Sequence, residues 1–352
     1  MINVRFHTFS MLSVLVLLIS ATSFAQAEPK ILFKLATIAP RGSYMMTLIN
    51  EMDAEIRKAT NNEVGIKIYY GGVQGDEKDV LRKIRLGQLH GGTFTGHGLG
   101  QVVSEIKVTE LPYHFRNYDE VEYVRSVLRP TMEQLFEERG FVVLGWNEIG
   151  FVYTFSKVPI TSIEIARQQK WWMWEGDELA RAMFDAFGIT PVPLNFKDVM
   201  TSLSTRLIDT ASSTPYGAVA MHWYERFEYM NEHPTTNVQG ATIVSQRIWN
   251  RVSPEYRQKI IDICRPYFAR LSLHTREQDR KSIEVLKKAG IQIVPFDPGK
   301  NQERFNFIFE TSVKARESLV GKLYSRELLD RMLVLREEYR TKHPDSHVEI
   351  IR

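Results

Sequence analysis

Short apolar runs alternate with stretches of helical period along most of the chain. Ile31–Ala36 forms a strand candidate, and a turn at Ala39–Gly42 follows it. Met45, Met46, Ile49, Met52 and Ile56 then recur every three or four residues, which predicts a helix opened by Ser43 as N-cap and ended at Asn61-Asn62. Ile66–Tyr70 alternates into a second strand, stopped by Gly71-Gly72. Asp76–Leu86 reads as a charged helix turning Val80, Leu81 and Ile84 inward, and Gly91–Gly96 as a strand running into a loop. This βαβ grammar predicts a mostly parallel sheet with helices on its faces. A second unit repeats it, with strands at 141–146, 151–155, 170–174, 191–194, 207–211 and 242–244 and helices at 177–187 and 196–203. Beyond Pro254 the chain turns helical over 255–288 and 302–340, with strand 291–294 between them and a break near Gly321.

Two α/β units closed by long helices predict a cleft protein. Ligands in open parallel sheets bind beyond the carboxyl ends of strands, and domain interfaces favour pockets. The segments to watch are therefore 37–44, 71–77, 95–98, 146–151, 172–177 and 211–216.

The amino terminus changes the picture. Arg5, the apolar run Met11–Ile19 and Ala25-Gln26-Ala27 have the order of a secretory leader, with cleavage expected after about Ala27. The run is shorter than the roughly 20 residues a membrane span needs. Residues 1–27 are accordingly read as a signal peptide and the rest as an exported, periplasmic chain. Over the whole chain, 45 Lys+Arg stand against 42 Asp+Glu, which does not suit a cationic nucleic-acid binder. One cysteine excludes an intrachain disulfide framework and a multi-thiolate zinc site. The apolar neighbours of Cys264 favour a buried thiol.

Recognised catalytic patterns are missing. The nine histidines include no His-Glu-x-x-His pair, so no metal site is expected. Thr95–Gly100 is glycine-dense, but its spacing is not a dinucleotide fingerprint, and it reads as a tight loop letting backbone approach a ligand. No nucleotide or other cofactor is expected. Ser212 and Ser213 follow a strand with no placed base, which suits hydrogen bonding better than nucleophilic attack. Asp76-Glu77 and Glu175/Asp177 stand at helix starts, where the macrodipole favours acids.

The aromatics are more informative. Trp171, Trp172 and Trp174 are half of the six tryptophans. Alternation puts Trp172 and Trp174 on one face and Trp171 with Met173 on the other. Both a packed core and an indole-lined binding wall fit that pattern.

Several segments together carry a resemblance. Leu35–Ser43, Tyr70–Glu77, Leu111–Tyr118, Pro193–Val199 with Leu203–Asp209, and Ile248–Glu255 occur in the order found in solute-binding proteins of TRAP transporters, DctP type. The similarity runs from about Leu32 to Val294. It implies a two-domain, periplasmic-binding-protein-like α/β fold with a hinged interdomain cleft and long carboxyl-terminal helices. It further implies a receptor without catalysis that hands a small-molecule ligand to TRAP membrane permease subunits. The units are expected to divide as 28–154 with about 241–285, and 155–240 with about 286–342, leaving a tail at 343–352.

One departure bears on the ligand. The resemblance places a carboxylate-binding arginine where this chain has Trp172, inside Lys170–Met173. Ser213 stands near the family's ligand-holding asparagine. An indole in place of a guanidinium in a dry cleft penalises a bare carboxylate by several kcal/mol. The expected ligand therefore has apolar or aromatic surface packed on Trp172 and Trp174, with Trp146, Phe151, Tyr216 and Tyr44 as further walls. Asn147, Glu175, Ser212, Ser213 and Thr214 would anchor polar groups, and Thr37, Glu77 and Thr95 complete the candidates. A carboxylated ligand stays open if Arg41, Lys157 or backbone N–H groups supply the charge. A secreted cleft hydrolase, and a sensor or lipid carrier of the same fold, are the rival readings.

Overall fold

The computed structural model describes residues 28–296 and 302–347; the expected leader at 1–27 and the end of the tail lie outside the described residues. The chain opens with β1 (Ile31–Ala36), α1 (Tyr44–Ala59), β2 (Val64–Tyr69), α2 (Glu77–Arg85) and β3 (Gly91–Thr95). Strand β1 pairs in parallel with both β2 and β3, as the βαβ pattern predicts. Ser43 holds the N-cap position of α1 without a side-chain cap bond, whereas Asp76 and Asp79 close a capping box at the start of α2.

The short helix α3 (Gly96–Gly100) and the longer α4 (Tyr118–Glu138) lead into β4 (Phe141–Ser156). The two strands expected at 141–146 and 151–155 are this one strand, about 50 Å long at the usual rise. Register shifts at Val143/Gly145 and Glu148/Gly150 absorb the break in alternation between them. At the second, Gly150 has φ +118, and a Cβ there would collide with the Asp279 carboxylate.

The second unit comprises α5 (Ile163–Gln168), β5 (Trp172–Trp174), α6 (Glu178–Phe187), β6 (Val192–Leu194), α7 (Val199–Ser204), β7 (Thr210–Ser213), α8 (Pro215–Ala220) and β8 (Tyr229–Asn231). The chain then returns along β9 (Thr236–Ser245) through α9 (Gln246–Trp249) to α10 (Pro254–Lys288). It finishes with β10 (Gln292–Val294), α11 (Gln302–Ser318) and α12 (Arg326–Lys342). Gly321, with φ +80, stands in the break between the last two helices.

The sheet is more mixed than the pattern suggested. Its order is β10-β8-β4-β9-β3-β1-β2, with β7 joined to β4, and β9 runs antiparallel to both β3 and β4. Strand β4 connects the two units: Phe141–Val152 pairs with β9, and Tyr153–Ser156 pairs with β7. Helix α10, about 50 Å long, lies along β4 and touches both α1 and α8. The stretch 286–342 does not stay with the second unit as expected. Helix α11 packs on α6, but α12 packs on α4 of the first. Arg340 Nε donates to Glu120 Oε1 at 2.6 Å and Tyr123 Oη to Glu338 Oε2 at 3.1 Å, which fixes that seat.

Apolar burial follows the predicted stripes. Met46, Ile49, Met52 and Ile56 of α1 pack with Phe33, Leu35 and the α10 residues Ile260, Cys264 and Phe268. Full burial of each such aliphatic side chain is worth about 1.5–3 kcal/mol. Cys264 is completely buried, and burial pushes its thiol pKa far up. Among the described residues, no helix is long and apolar enough to cross a membrane.

Candidate ligand-binding site

A cavity of about 920 Å³ lies where the two units meet, walled by the ends of β1, β3 and β7, the middle of β4 and both faces of β5. Ten of the sequence candidates line it: Thr37, Tyr44, Thr95, Asn147, Trp172, Trp174, Ser212, Ser213, Thr214 and Tyr216. Four do not. Trp146 turns outward and donates Nε1–H to Glu133 Oε1 at 2.9 Å, beside Phe136. Phe151 is 2 % exposed in the core, edge-on to Tyr118. Glu175 points to solvent at the turn before α6. Glu77 is buried behind the wall, where its carboxylate accepts from Thr95 N at 2.7 Å, Thr95 Oγ1 at 3.0 Å and Gly98 N at 2.7 Å. Burial raises its pKa to about 7 against those stabilising bonds. Arg41 and Lys157, weighed as alternative charges, are also absent from the wall.

The glycine run has a different use from the one its sequence suggested. A Cβ on Gly96 would strike the Glu110 carboxylate, and one on Gly98 would strike Glu77 and Phe94. The missing side chains admit the protein's own buried acids.

The indoles divide into two roles. Trp172 is 8 % exposed, lies edge-on to Trp223 at 5.3 Å and near Trp174 at 5.7 Å, and donates Nε1–H to Leu194 O at 3.2 Å. With that donor used, it offers the cavity only apolar ring surface. Trp174 is consumed more completely. His97 stacks on it at 4.5 Å and Phe196 at 5.4 Å, while its Nε1 donates to Asp76 Oδ2 at 3.1 Å. Asp76 Oδ2 also accepts from Phe196 N at 2.9 Å. Trp174 is thus a bridge from the second unit to the first.

A buried ion network reinforces that bridge. Lys107 Nζ lies 3.2 Å from Glu110 Oε2 and 3.2 Å from Asp177 Oδ2, and His97 Nδ1 is 3.7 Å from the same Asp177 oxygen. The other Asp177 oxygen caps α6 through Ala180 N at 3.0 Å. The two acids hold the Lys107 pKa above its ordinary value despite burial, and Lys107 with His97 holds Asp177 well below the carboxylate range. The lysine charge is neutralised within the protein.

On the opposite wall, Asp279 of α10 accepts from Tyr216 N at 2.9 Å and Tyr118 Oη at 3.3 Å, fixing the turn that presents Ser212–Tyr216. Burial raises this carboxyl to about 7. Tyr44 and His274 stack at 3.8 Å, and Tyr216 meets His274 edge-on at 6.5 Å. Thr214 Oγ1 caps α8 through Gly217 N, and Ser213 Oγ donates to Thr214 O. Asn147 is 4 % exposed with its Oδ1 unpartnered, as are Ser43 Oγ and Asn231 Oδ1 among the other lining residues. Such a set is suited to hold and orient a solute by packing and hydrogen bonding.

Sequence reasoning missed Phe196, Trp223, His274 and the bridging roles of Asp76, His97, Lys107 and Asp177. Phe196 stands two residues past the end of β6, so the strand-end rule applied beyond 191–194 would have found it. The bridge pairs are 70 to 120 residues apart and carry no local signal.

Residues 35–315 match the family described as bacterial extracellular solute-binding protein, family 7, DctP. A solute-binding protein of Verminephrobacter eiseniae is 23% identical over 284 residues, 78% of this chain and 81% of the relative. The fold is similar to a TRAP periplasmic solute-binding protein from Desulfovibrio salexigens with bound orotic acid, at TM-score 0.79 and 17% identity, covering 89% of this chain and 99% of that one. A second, from Xanthobacter autotrophicus Py2 with bound β-D-galacturonate, gives TM-score 0.79 and 19% identity over 87% of this chain and 99% of its own. With the cleft, the bridging strands and a match over most of its length, the chain belongs to family 7 of the bacterial extracellular solute-binding proteins, the DctP family.

Proposed function

We propose that this receptor captures an organic solute with substantial apolar or aromatic surface and little net negative charge, and delivers it to TRAP permease subunits. The observation that carries the reading is Trp172, whose used N–H and apolar ring stand in the cavity wall where the resemblance puts an arginine. Supporting it, Lys107 is already paired with two acids, and Arg304 lies over Phe296 and donates to Ile160 O. The orphaned Asn147 Oδ1 favours a ligand N–H or O–H donor. The ligand's apolar surface would pack on Trp172, Tyr44 and Tyr216, with Ser212, Ser213 and Thr214 beside its polar end. Trp174, Thr37 and Thr95 would shape the wall and Glu77 would hold it from behind. The bound acids of the structural neighbours mark the contrast, since orotate and galacturonate carry a carboxylate. The leader would be removed after about Ala27, leaving the receptor in the periplasm.

Mass spectrometry of solute retained through native purification, followed by calorimetry with that solute, tests the reading. Trp172→Ala should weaken binding by about 2–4 kcal/mol, the cost of truncating a central aromatic contact. Tight binding of C4-dicarboxylates or acidic sugars that ignores Trp172 would refute it.

A further inference from the structure

The cavity does not end at the interdomain wall. Strand β5 and the preceding Trp171 turn Trp172 and Trp174 to one face and Trp171 and Met173 to the other, and all four line the same continuous space. The second face looks toward α5, α6 and α11, where Ile163, Phe184, Phe187, Ile189, Phe305 and Phe309 complete an apolar lobe. Its rings meet at ordinary aromatic spacings: Trp171 meets Phe184 edge-on at 5.6 Å, Phe187 meets Phe307 edge-on at 6.1 Å, and Phe305 stacks with Phe309 at 6.5 Å. Phe307 remains 39 % exposed.

Polar groups around the lobe are mostly turned to the protein. Trp171 Nε1 donates to Ala166 O at 2.7 Å, and Ile160 O accepts from both Asn231 Nδ2 at 3.1 Å and Arg304 Nη2 at 3.0 Å. Asn231 Oδ1 is the exception, without a partner.

A total of about 920 Å³ stands near the upper end of the roughly 300–1,000 Å³ usual for drug-sized ligands. A compact solute held at Asn147 and Trp172 leaves the lobe to be filled by something else. Continuity with the interdomain space makes that occupant part of the same ligand. We infer that the solute is amphiphilic, with a polar head at Asn147 and Ser212–Thr214, a flat middle against Trp172, and an extended apolar tail in the lobe beneath α11.

This inference rests on the receptor reading above, and the test separates the two. Para-alkylbenzamides from methyl to hexyl are titrated calorimetrically into the full-length mature protein and into Phe305→Asp and Phe307→Asp. The second variant changes a partly exposed position and so guards against loss of folding in the first. Circular dichroism and melting curves check both. In the wild type, affinity should rise about fourfold for each of the first several methylenes, the transfer value of a buried CH₂. Each folded variant should flatten that slope to less than about twofold while binding the methyl member as the wild type does. A flat wild-type series with the methyl member still bound, or an unchanged slope in the folded variants, overturns the tail and leaves the receptor reading standing. Failure of every benzamide to bind, with tight binding of uronates or dicarboxylates, overturns both.

Discussion

Restoring the arginine asks whether Trp172 sets the charge preference of the cleft. In Trp172→Arg, a ring packed among Trp174, Trp223 and Phe196 gives way to a guanidinium with no carboxylate among those neighbours. Leaving a buried charge uncompensated costs about 3–5 kcal/mol, so the variant's melting temperature should fall. A ligand carboxylate would supply the missing partner through two charge-assisted bonds, each worth about 1.5–3 kcal/mol. Taking the lower figure for both gives about 3 kcal/mol, or roughly 150-fold in affinity relative to a neutral isostere. Para-methylbenzoate and para-methylbenzamide are the matched pair, titrated into both proteins and followed by thermal melting. The wild type should prefer the amide. Trp172→Arg should prefer the carboxylate, which should also recover most of the lost melting temperature. Wild-type binding of the benzoate tenfold more tightly than the amide would refute a charge preference set by Trp172. A substitution that leaves the ratio of the two affinities where it was would refute it equally.

Trp174→Phe keeps an aromatic ring between His97 and Phe196 but removes the donor to Asp76, a bond to a charged acceptor worth about 1.5–3 kcal/mol. Ligand affinity should drop about tenfold, and small-angle scattering should show a larger radius of gyration at fixed ligand; identical scattering and affinity would count against the bridge. Lys107→Met strands the buried Asp177 and Glu110 carboxylates, so stability should fall by about 3–5 kcal/mol, and adding Asp177→Asn should recover part of it. An unchanged denaturant midpoint for the single variant would refute that account. Asp279 gives a pH signature. Burial raises its pKa from 3.8 to about 7, so the folded state favours the protonated carboxyl. Its contribution to stability is complete below about pH 3.8 and is lost as pH rises through about 7. Asp279→Asn stays neutral and should gain on the wild type by on the order of 4 kcal/mol between pH 4 and 8. Parallel pH–stability profiles would exclude it.

How much of this was legible in the sequence follows from the range of the forces involved. The α1 stripe and the β1–β2 pairing rest on neighbours within a turn or one crossover, and periodicity reads them correctly; Asp76, read as a first-turn acid, instead caps α2. Strand β4 was read as two pieces because its bulges break the period of two, while the paired partner that keeps it continuous, β9, lies almost a hundred residues later. The wall candidates came from strand ends, a rule about where backbone stops. It places Asn147 and Ser213 well but cannot tell Glu175, one residue past a strand and facing solvent, from Trp174, the last residue within it. Trp174 shows the limit most directly. Its neighbours in sequence predict an indole at a strand exit, which is where it is. Only the arrival of His97 and Asp76 from the other unit covers its ring and engages its N–H, turning an apparent ligand platform into a closing contact. Trp172, two residues earlier, has its N–H bonded within its own unit, to Leu194 O. The two indoles are therefore separable by experiment. Loss at Trp174 should weaken all solutes alike through closure, whereas exchange at Trp172 should reorder them by charge.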